Sequence, residues 1–353
     1  MDLVKKSKAV LTLYQHKNGA FPACPTFPVY NYCWLRDGTF CAYALDLVGE
    51  HRSSSSFYNW VTETLSKHLA KLDSLPEKLN SQGVKDDDFL HTRYTLTGEE
   101  GKEPWGNFQL DGYGTFLWGL VEHFKLSDSE EILNNWSQVI KKIALYLQEY
   151  WPIQCLDCWE EKKGVHPSTL AAVYGGLKAL QTLRPQWVDS SILQIIRFYA
   201  TSQFCNGLYF TKDSHSDGVD ANLLMLGVPF GLVELENPLL INTIKKIEED
   251  LKPGGLYRYL GDTYYGGGEW ILLTAWLGWY YALAGKRTKA EKILAWVEAQ
   301  ADAFGLLPEQ TSHHLQSEKD YHDWVRRWGE VAKPLLWSHA MHLILVYSLN
   351  RLR

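Results

Sequence analysis

Apolar residues recur at three- and four-residue spacing through most of this chain, and this helical period constrains its fold more than any other feature. The stretch 132–147 repeats the spacing over several turns, as an amphipathic helix does. Ser127 with Glu130 and Thr288 with Glu291 form capping-box patterns that predict the first turns of two helices. Strand-like alternation is scarce. The sequence therefore predicts an all-α protein.

The same spacing predicts about twelve helices in all. Besides the stretches that follow Ser127 and Thr288, the predicted helices span 3–15, 38–50, 53–71, 111–125, 165–183, 188–203, 219–227, 237–250, 269–284 and 335–350. Loops that contain Gly, Pro and Asp separate them, and no Ser/Gly/Pro-rich linker divides the chain, so we expect one domain over residues 1–353. Helix pairs joined by alternating short and long loops suit two concentric rings around a closed core, and they suit a solenoid of helix pairs equally well.

The charge, the N-terminal segment and the cysteines indicate which binding partners and which cellular compartment to expect. The net charge is -6, from 35 basic and 41 acidic residues, and there is no basic stripe, so we expect no nucleic-acid partner. The apolar stretch near the N-terminus covers only Ala9 to Tyr14, which is too short for a signal peptide or a membrane span. The six cysteines show no dense disulfide framework. We expect a cytoplasmic protein with reduced thiols and no membrane partner.

Two acidic segments lie far apart in the chain, Asp-Cys-Trp-Glu-Glu at 157–161 and Leu-Pro-Glu-Gln at 307–310. Hydrolysis of a sugar acetal requires such a pair: a protonated carboxylic acid that assists the leaving oxygen, and an ionised carboxylate on the opposite face of the ring. That reaction needs no metal and no organic cofactor. Taken singly, Glu160 is also typical of a helix N-terminus and Glu309 of an exposed loop. Trp159 favours a catalytic Glu160, because an aromatic wall desolvates a carboxylate and raises its pKa.

Three further loops mix acids, arginine, tryptophan and glycine, as polyol-binding pockets do. They read Trp-Leu-Arg-Asp-Gly at 34–38, Gln-Leu-Asp-Gly-Tyr-Gly at 109–114, and a glycine-rich run from Arg258 to Trp270. The chain also has 15 Trp and 20 Tyr, and aromatic faces suit the flat C–H faces of sugars as well as a core. Together these loops indicate a sugar-binding site.

These segments, with Val-Asp-Ala-Asn-Leu-Leu at 219–224 and Leu-Trp-Ser-His-Ala at 336–340, follow one another in an order that resembles the glucoamylase family, glycoside hydrolase family 15. The resemblance extends from about Tyr32 to about Ala340. It implies an (α/α)6 barrel, a double ring of about twelve helices. It also implies an inverting, exo-acting hydrolase that releases β-D-glucose from the non-reducing end of α-glucosides.

Carried over position by position, the resemblance makes Glu160 the general acid and Glu309 the general base that activates water. Glu161 would contact the leaving-group sugar beside the acid. The other binding residues that the resemblance implies are Arg36 and Asp37 for the far hydroxyls of the terminal glucose, Arg258 for the same ring, Trp34, Trp159 and Trp337 as pocket walls, and Asp111 and Asp157 as supporting or rim carboxylates. No metal ligand is implied.

Two departures from the family pattern bear on the substrate. The β-sandwich domain and linker of many prokaryotic members are absent from the sequence, as is any starch-binding module. We therefore expect short α-1,4- or α-1,6-linked gluco-oligosaccharides of the maltose or isomaltose type. The segment Gly-Gly-Gly-Glu at 266–269 replaces an Asn-containing loop of fungal members, so the preferred linkage stays open.

Two other functions stay open beside an exo-glucosidase. One is hydrolysis of α,α-trehalose, an activity that also occurs in this family and would use the same pair of glutamates. The other is a non-catalytic sugar-sensing or regulatory domain. The presence of both Glu160 and Glu309 disfavours it, because a pocket without catalysis has no chemical need for either.

Two smaller motifs receive a structural interpretation. Cys155 and Cys158 form a Cys-x-x-Cys pair, and His339 and His342 lie three residues apart on an apolar helix. No second Cys-x-x-Cys pair and no carboxylate within the histidine motif completes a metal set. We expect packing cysteines and core histidines with satisfied hydrogen bonds.

Overall fold

The computed structural model describes residues 2–81 and 83–351, and helices account for most of them. The α-helices are α1 Leu3–Tyr14, α2 Leu35–Leu47, α3 His51–His68, α4 Ala70–Asn80, α5 Asp111–Ser127, α6 Glu131–Asn135, α7 Ser137–Tyr150, α8 Pro167–Leu183, α9 Ser190–Gln203, α10 Pro238–Leu251, α11 Ile271–Leu283, α12 Arg287–Ala299, α13 Glu318–Trp328 and α14 Leu336–Asn350. The strands in the described ranges are short antiparallel pairs: β1 Cys33–Trp34 with β2 Arg93–Tyr94, β3 Cys155–Leu156 with β4 Lys163–Gly164, and β5 Glu269–Trp270 with β6 Gln310–Thr311. The all-α prediction is confirmed.

Most predicted helices correspond to a helix in the structure, with ends that differ by a few residues. The stretch 219–227 forms a 3-10 helix instead, Ala221–Leu226. Two helices, α4 and α13, lie in segments that the sequence predicted as loops. Both segments are polar, so the apolar period is weak in them. In α4 the sequence also contains Pro76, and proline normally interrupts a helix.

Both predicted capping boxes are wrong. Ser127 lies in the last turn of α5, where its hydroxyl donates to the carbonyl oxygen of His123 at 2.7 Å instead of capping a new helix. The later helix begins at Arg287, one residue before Thr288, and Glu291 accepts a hydrogen bond from Arg287 Nε at 2.8 Å. The Ser127 hydroxyl and the Glu291 carboxylate are thus each bonded to a group one turn away in the same helix, and neither is used for capping.

The described residues divide into two compact units. Of the described residues, the first unit comprises 15–23, 31–81 and 83–200, and the second comprises 2–14, 24–30 and 201–351. The single domain over 1–353 stays a prediction.

In the first unit, α5 packs against both α2 and α8. The contact with α8 is close: a Cβ on Gly114 would lie 2.3 Å from the Ala172 carbonyl oxygen, and a Cβ on Gly176 would lie 2.2 Å from the Gly114 carbonyl oxygen. Only glycine permits the two backbones to approach so closely. The packing fixes the first turns of α2 and α5, which carry Arg36, Asp37 and Asp111.

In the second unit, α11 packs against α12 and α14, and α1 lies against α14. Nearly every residue of α11 is buried, as expected for a helix that is apolar on all sides. The helix has only 13 residues, however. Within the described ranges no helix is both long enough and apolar enough to cross a bilayer. Two turns of α14 carry His339 and His342 into this core, where both are fully buried.

Candidate active site

Glu160 lies on a tight turn between β3 and β4. The backbone N–H of Glu160 donates to the Asp157 carbonyl oxygen at 2.9 Å, and Asp157 Oδ1 accepts from the N–H groups of Glu161 at 2.8 Å and Lys162 at 3.2 Å. Glu160 itself has a φ of 65°, in the left-handed region that non-glycine residues rarely adopt. Asp157 therefore fixes the turn from beneath.

Three side chains donate hydrogen bonds to the Glu160 carboxylate. Oε1 accepts from Trp34 Nε1 at 2.5 Å and from Gln109 Nε2 at 2.8 Å, and Oε2 accepts from Trp105 Nε1 at 2.5 Å. Burial raises the pKa of Glu160, while the hydrogen bonds and the nearby Arg36 guanidinium lower it, and burial prevails. With one donor against two, Oε2 is the oxygen better able to carry a proton.

Arg36, Asp37 and Asp111 form a buried charged group beside this carboxyl. Arg36 Nη1 donates to Asp111 Oδ2 at 2.6 Å and to Gln109 Oε1 at 3.1 Å, and its Nε lies 3.5 Å from Asp37 Oδ1. Burial raises the pKa of Asp37 to about 7 although Arg36 opposes the rise. Asp37 Oδ1 is buried and has no hydrogen-bond partner among the described residues. It is an acceptor suited to a hydroxyl group.

A second arginine supports the two tryptophans that hold Glu160. Arg93 faces Trp34 across the β1–β2 pair, and its guanidinium carbon lies 4.1 Å from the ring centre of Tyr32 and 4.2 Å from that of Trp105. The side chain is almost fully buried, so this cation–π contact is little weakened by water. Arg93 thus fixes the orientation of the indoles that donate to Glu160.

In the second unit, Glu309 follows a proline in a loop that enters β6. Glu309 is buried, with 3% of its surface exposed. Its backbone N–H donates to the Ala332 carbonyl oxygen at 2.9 Å, and its carbonyl oxygen accepts from the N–H of Ile271 at 3.1 Å. These two hydrogen bonds fix the backbone from which the carboxyl group of Glu309 projects.

Aromatic hydroxyls lie close to Glu309 within the same unit. Tyr264 and Tyr30 share a hydrogen bond between their hydroxyl oxygens at 2.6 Å. Burial and then the charge of Glu309 raise the pKa of Tyr264 well above its ordinary value. The Tyr264 phenol therefore stays protonated at neutral pH and acts as a neutral hydrogen-bonding group.

Arg258 and Trp337 occupy buried positions in the second unit. Arg258 Nε and Nη2 donate to the two carboxylate oxygens of Asp262 at 2.7 and 2.6 Å, a bidentate geometry that fixes the guanidinium plane. The guanidinium carbon also lies 5.2 Å from the ring centre of Trp270. Trp337 lies in the first turn of α14, and its ring packs edge-on against Trp276 at 5.9 Å.

A directed chain of hydrogen bonds reaches the Glu309 loop from its buried side. His339 Nε2 accepts the backbone N–H of Leu307 at 3.0 Å, so the ring proton is on Nδ1 and donates to Ser7 Oγ at 2.9 Å. The Ser7 hydroxyl then donates to His342 Nδ1 at 3.1 Å, and His342 Nε2–H faces Glu298 Oε1 at 3.3 Å. Burial lowers the pKa of His339 to about 3, which keeps the ring neutral. We call these residues the histidine relay.

The structure separates the predicted site residues by unit. The first unit holds Trp34, Arg36, Asp37, Asp111, Asp157, Trp159, Glu160 and Glu161, and the second holds Arg258, Glu309 and Trp337. Trp159 is half-buried and Glu161 is exposed. Within the first unit, Trp34, Arg36, Asp37 and Asp111 gather around Glu160 or its partner Gln109. Sequence reasoning did not select Trp105, Gln109 or Arg93, which complete this group.

The smaller motifs agree with their predicted structural roles. Cys155 and Cys158 are buried free thiols. His339 and His342 are core histidines with hydrogen-bond partners on both sides. In the part of the chain that the structure describes, no three His, Cys, Asp or Glu side chains are arranged to hold a metal ion.

Comparison with known proteins finds related chains over almost the full length. The model of the family described as Glycosyl hydrolases family 15 matches residues 3–342. An isomaltose glucohydrolase from Kribbella flavida is 40% identical, with 99% of this chain and 93% of the relative covered.

Solved structures give the same result. A glycosidase variant in complex with glucose is 39% identical with a TM-score of 0.92, covering 99% of this chain and 96% of that one. A bacterial glucoamylase complexed with acarbose is 21% identical with a TM-score of 0.73, covering 99% of this chain and 56% of that one. The glucoamylase structures have the (α/α)6 fold, so the predicted fold class is confirmed.

Proposed function

The chain belongs to glycosyl hydrolase family 15 and is a glycoside hydrolase, and from this premise we propose that it is an inverting exo-α-glucosidase. Its substrates are short gluco-oligosaccharides, and it releases β-D-glucose from their non-reducing ends. The isomaltose glucohydrolase of Kribbella flavida, at 40% identity over 93% of that relative, favours the α-1,6 bond of isomaltose as the first substrate to test. The observation that carries the proposal is the environment of Glu160.

Glu160 has the properties of a general acid. Burial raises its pKa, so a larger fraction is protonated near neutral pH than for an ordinary glutamate. Oε1 is occupied by two donors, and Oε2 has one. A proton on Oε2 is therefore directed to the leaving glycosidic oxygen, while Trp34 and Gln109 fix the carboxyl plane.

Glu309 is the general base that we assign. The Glu309 carboxyl group is buried and projects from a backbone that two hydrogen bonds fix, so it is suited to orient one water molecule for attack on the anomeric carbon. Inversion requires the two carboxyl groups to lie about 6.5–9.5 Å apart, and retention requires about 5–5.5 Å. We therefore predict that the carboxyl groups of Glu160 and Glu309 lie within the range for inversion.

The remaining residues bind the sugar in this proposal. Asp37 Oδ1 accepts a hydroxyl of the terminal glucose, and Arg36 holds Asp37 and donates to the same ring. Arg258 contacts that ring from a guanidinium fixed by Asp262. Pocket walls and rim positions are assigned to Trp34, Trp159, Trp337, Asp111 and Glu161. The proposal needs no cofactor, and absence of nucleic-acid and membrane partners and a cytoplasmic location stay predictions.

The test is a product-anomer measurement by NMR with isomaltose, maltose and α,α-trehalose as separate substrates. We expect β-glucose as the first product from isomaltose. α-Glucose as the first product would contradict inversion, and turnover of trehalose alone would make the protein a trehalase. Binding of glucose without turnover of any of the three would support a sugar-sensing domain.

Trp105→Phe is expected to move the basic limb of the pH profile of kcat/KM to higher pH. The indole N–H stabilises the ionised form of Glu160, so its removal raises the pKa of the acid further, by roughly one unit. Activity falls on the basic side when Glu160 loses its proton, and the limb follows that pKa. Trp151→Phe is the matched control, since Trp151 packs on Tyr199 at 5.5 Å instead of on the acid. A shift to lower pH would contradict the assigned role.

His339→Leu is expected to lower kcat by about tenfold to a hundredfold with little change in KM. The variant removes the acceptor of the Leu307 N–H, and displacement of Glu309 by less than an ångström affects the chemical step more than binding. His339→Gln is the matched control, because its amide oxygen can replace Nε2 as the acceptor. Both variants lose ring packing, so equal loss of kcat in the two, at equal melting temperatures, would contradict positioning by the histidine relay.

A further inference from the structure

The consecutive serines Ser53 to Ser56 lie in the first two turns of α3, and one of them has an unusual partner. The Ser56 hydroxyl donates to the Arg52 carbonyl oxygen at 2.9 Å, as serines within helices commonly do. The Ser55 hydroxyl oxygen lies instead 3.0 Å from His123 Nε2. An imidazole nitrogen can take the hydroxyl proton when the oxygen attacks an electrophile, whereas a carbonyl oxygen is too weak a base.

A buried carboxylate holds the His123 ring in one orientation. Both carboxylate oxygens of Asp46 lie 2.9 Å from His123 Nδ1. We therefore place the ring proton on Nδ1, which leaves Nε2 as the acceptor for the Ser55 hydroxyl. His51 Nδ1 also lies 2.9 Å from Asp46 Oδ1 and helps to fix this carboxylate. Asp46, His123 and Ser55 thus stand in the order of carboxylate, imidazole and hydroxyl that activates a serine nucleophile.

Burial increases from the serine inward. Ser55 is half-buried, whereas His123 is 1% exposed and Asp46 is 2% exposed. Ser55 is thus the member of the group that a reagent can reach from solvent, and its base is shielded from competing water. His123 lies about 18 Å along α5 from Asp111, at a helical rise of about 1.5 Å per residue. The group is therefore distinct from the proposed glycosidase site in the same unit.

Asn59 lies one turn after Ser55 on the same face of α3 and provides a hydrogen-bond donor beside the hydroxyl. Its Nδ2 donates to the Ser55 carbonyl oxygen at 3.0 Å, and its Oδ1 accepts from Trp136 Nε1 at 3.2 Å. These two bonds fix the amide plane, and the amide nitrogen has a second N–H. That N–H can donate to the oxyanion that forms when a hydroxyl adds to an ester carbonyl. The half-buried indole of Trp136 offers an apolar face to the rest of the ester.

We propose that Ser55 is a nucleophile that accepts an acyl group from activated esters of small carboxylic acids, with His123 as its general base. The Ser55 oxygen bonds to the ester carbonyl carbon, and the bond from that carbon to the alcohol oxygen breaks. The Ser55 proton passes to His123 Nε2 and then to the departing alcohol. Water repeats the sequence on the acylated serine, which releases the carboxylic acid and restores the hydroxyl. A serine ester is less reactive than an aryl ester, so the acyl-enzyme accumulates.

The probe is 4-nitrophenyl acetate with the purified full chain. We expect a burst of about one equivalent of 4-nitrophenolate per chain, and peptide mass spectrometry places the acetyl group on Ser55. Ser55→Ala should abolish the burst. Ser56→Ala is the matched control and should keep it, because the Ser56 hydroxyl donates to a backbone carbonyl oxygen. Absence of a burst, or an acetyl group on Ser56 or on lysines in place of Ser55, would overturn the proposal.

Two further variants test activation by the imidazole. His123→Gln removes the base, and Asp46→Asn removes the negative charge that stabilises the protonated ring. We expect the rate of Ser55 acetylation to fall by about 10²–10⁴-fold in each, the range that general base catalysis supplies. The melting temperature reports whether each variant is folded, and the experiment does not depend on the proposed glycosidase activity. Acetylation of Ser55 at the wild-type rate in folded His123→Gln would show that the group only joins helices, and would overturn the proposal.

Discussion

Replacing Glu160 with Gln is expected to lower kcat on isomaltose by about 10²–10⁴-fold, the range that general acid catalysis supplies. The amide has nearly the same shape as the carboxyl and its oxygen can still accept from Trp34 and Gln109, but its N–H protons are far too weakly acidic to be transferred to the leaving oxygen. An alkoxide leaving group without a proton is poor, so the chemical step slows. Steady-state kinetics on the purified variant measure the loss.

A substrate that needs no acid provides the control. The leaving group of α-D-glucosyl fluoride is fluoride, which departs without full protonation. Glu160→Gln should therefore hydrolyse this substrate at a rate near that of the wild type. Equal loss on isomaltose and on the fluoride would show that the variant has lost its base or its fold. Unchanged turnover of isomaltose would remove Glu160 from the acid role.

Replacing Glu309 with Ala is expected to lower kcat by a similar factor, about 10²–10⁴, on isomaltose and on the fluoride alike. The base acts on water, so a better leaving group does not compensate for its loss. The two variants are therefore distinguished by the fluoride substrate alone. Circular dichroism and the melting temperature check that the buried substitution leaves the protein folded.

Azide tests the geometry of attack in Glu309→Ala. A small anion that occupies the volume of the removed carboxylate can attack the anomeric carbon directly, and we expect β-D-glucosyl azide as the product. Its configuration is read by NMR. The α-azide would indicate a retaining route, and full activity of Glu309→Ala without azide would exclude this residue as the base.

The helical period predicted most of the fold because apolar stripes are local signals. It missed α13, although Tyr321, Trp324 and Trp328 lie at helical spacing and Ser317 is a capping residue. Ser317 Oγ accepts the backbone N–H of Asp320 at 3.2 Å, and Arg326 lies in the last turn. These start and stop signals were present in the sequence, but many charges masked the short stripe.

The site was predictable only in part, because its contacts join distant segments. Glu160 and Trp34 were nominated from motifs, yet their hydrogen bond spans 126 positions of the chain. Trp105 stands in a polar loop beyond the motif that contains Gln109, and no local pattern marks it as a donor to Glu160. Arg93 is inconspicuous in sequence, since only its position opposite Trp34 in the β1–β2 pair gives it a role.

The backbone of Glu160 adopts a left-handed conformation that suits glycine far better than glutamate. Such a conformation in a non-glycine residue costs about 1–3 kcal/mol of folding free energy. A selection for thermal stability alone would therefore favour glycine at this position, and the resulting protein would be more stable but inactive. Stabilising substitutions should therefore be sought at other positions, because the backbone conformation at Glu160 lowers the folding stability but orients its carboxyl group.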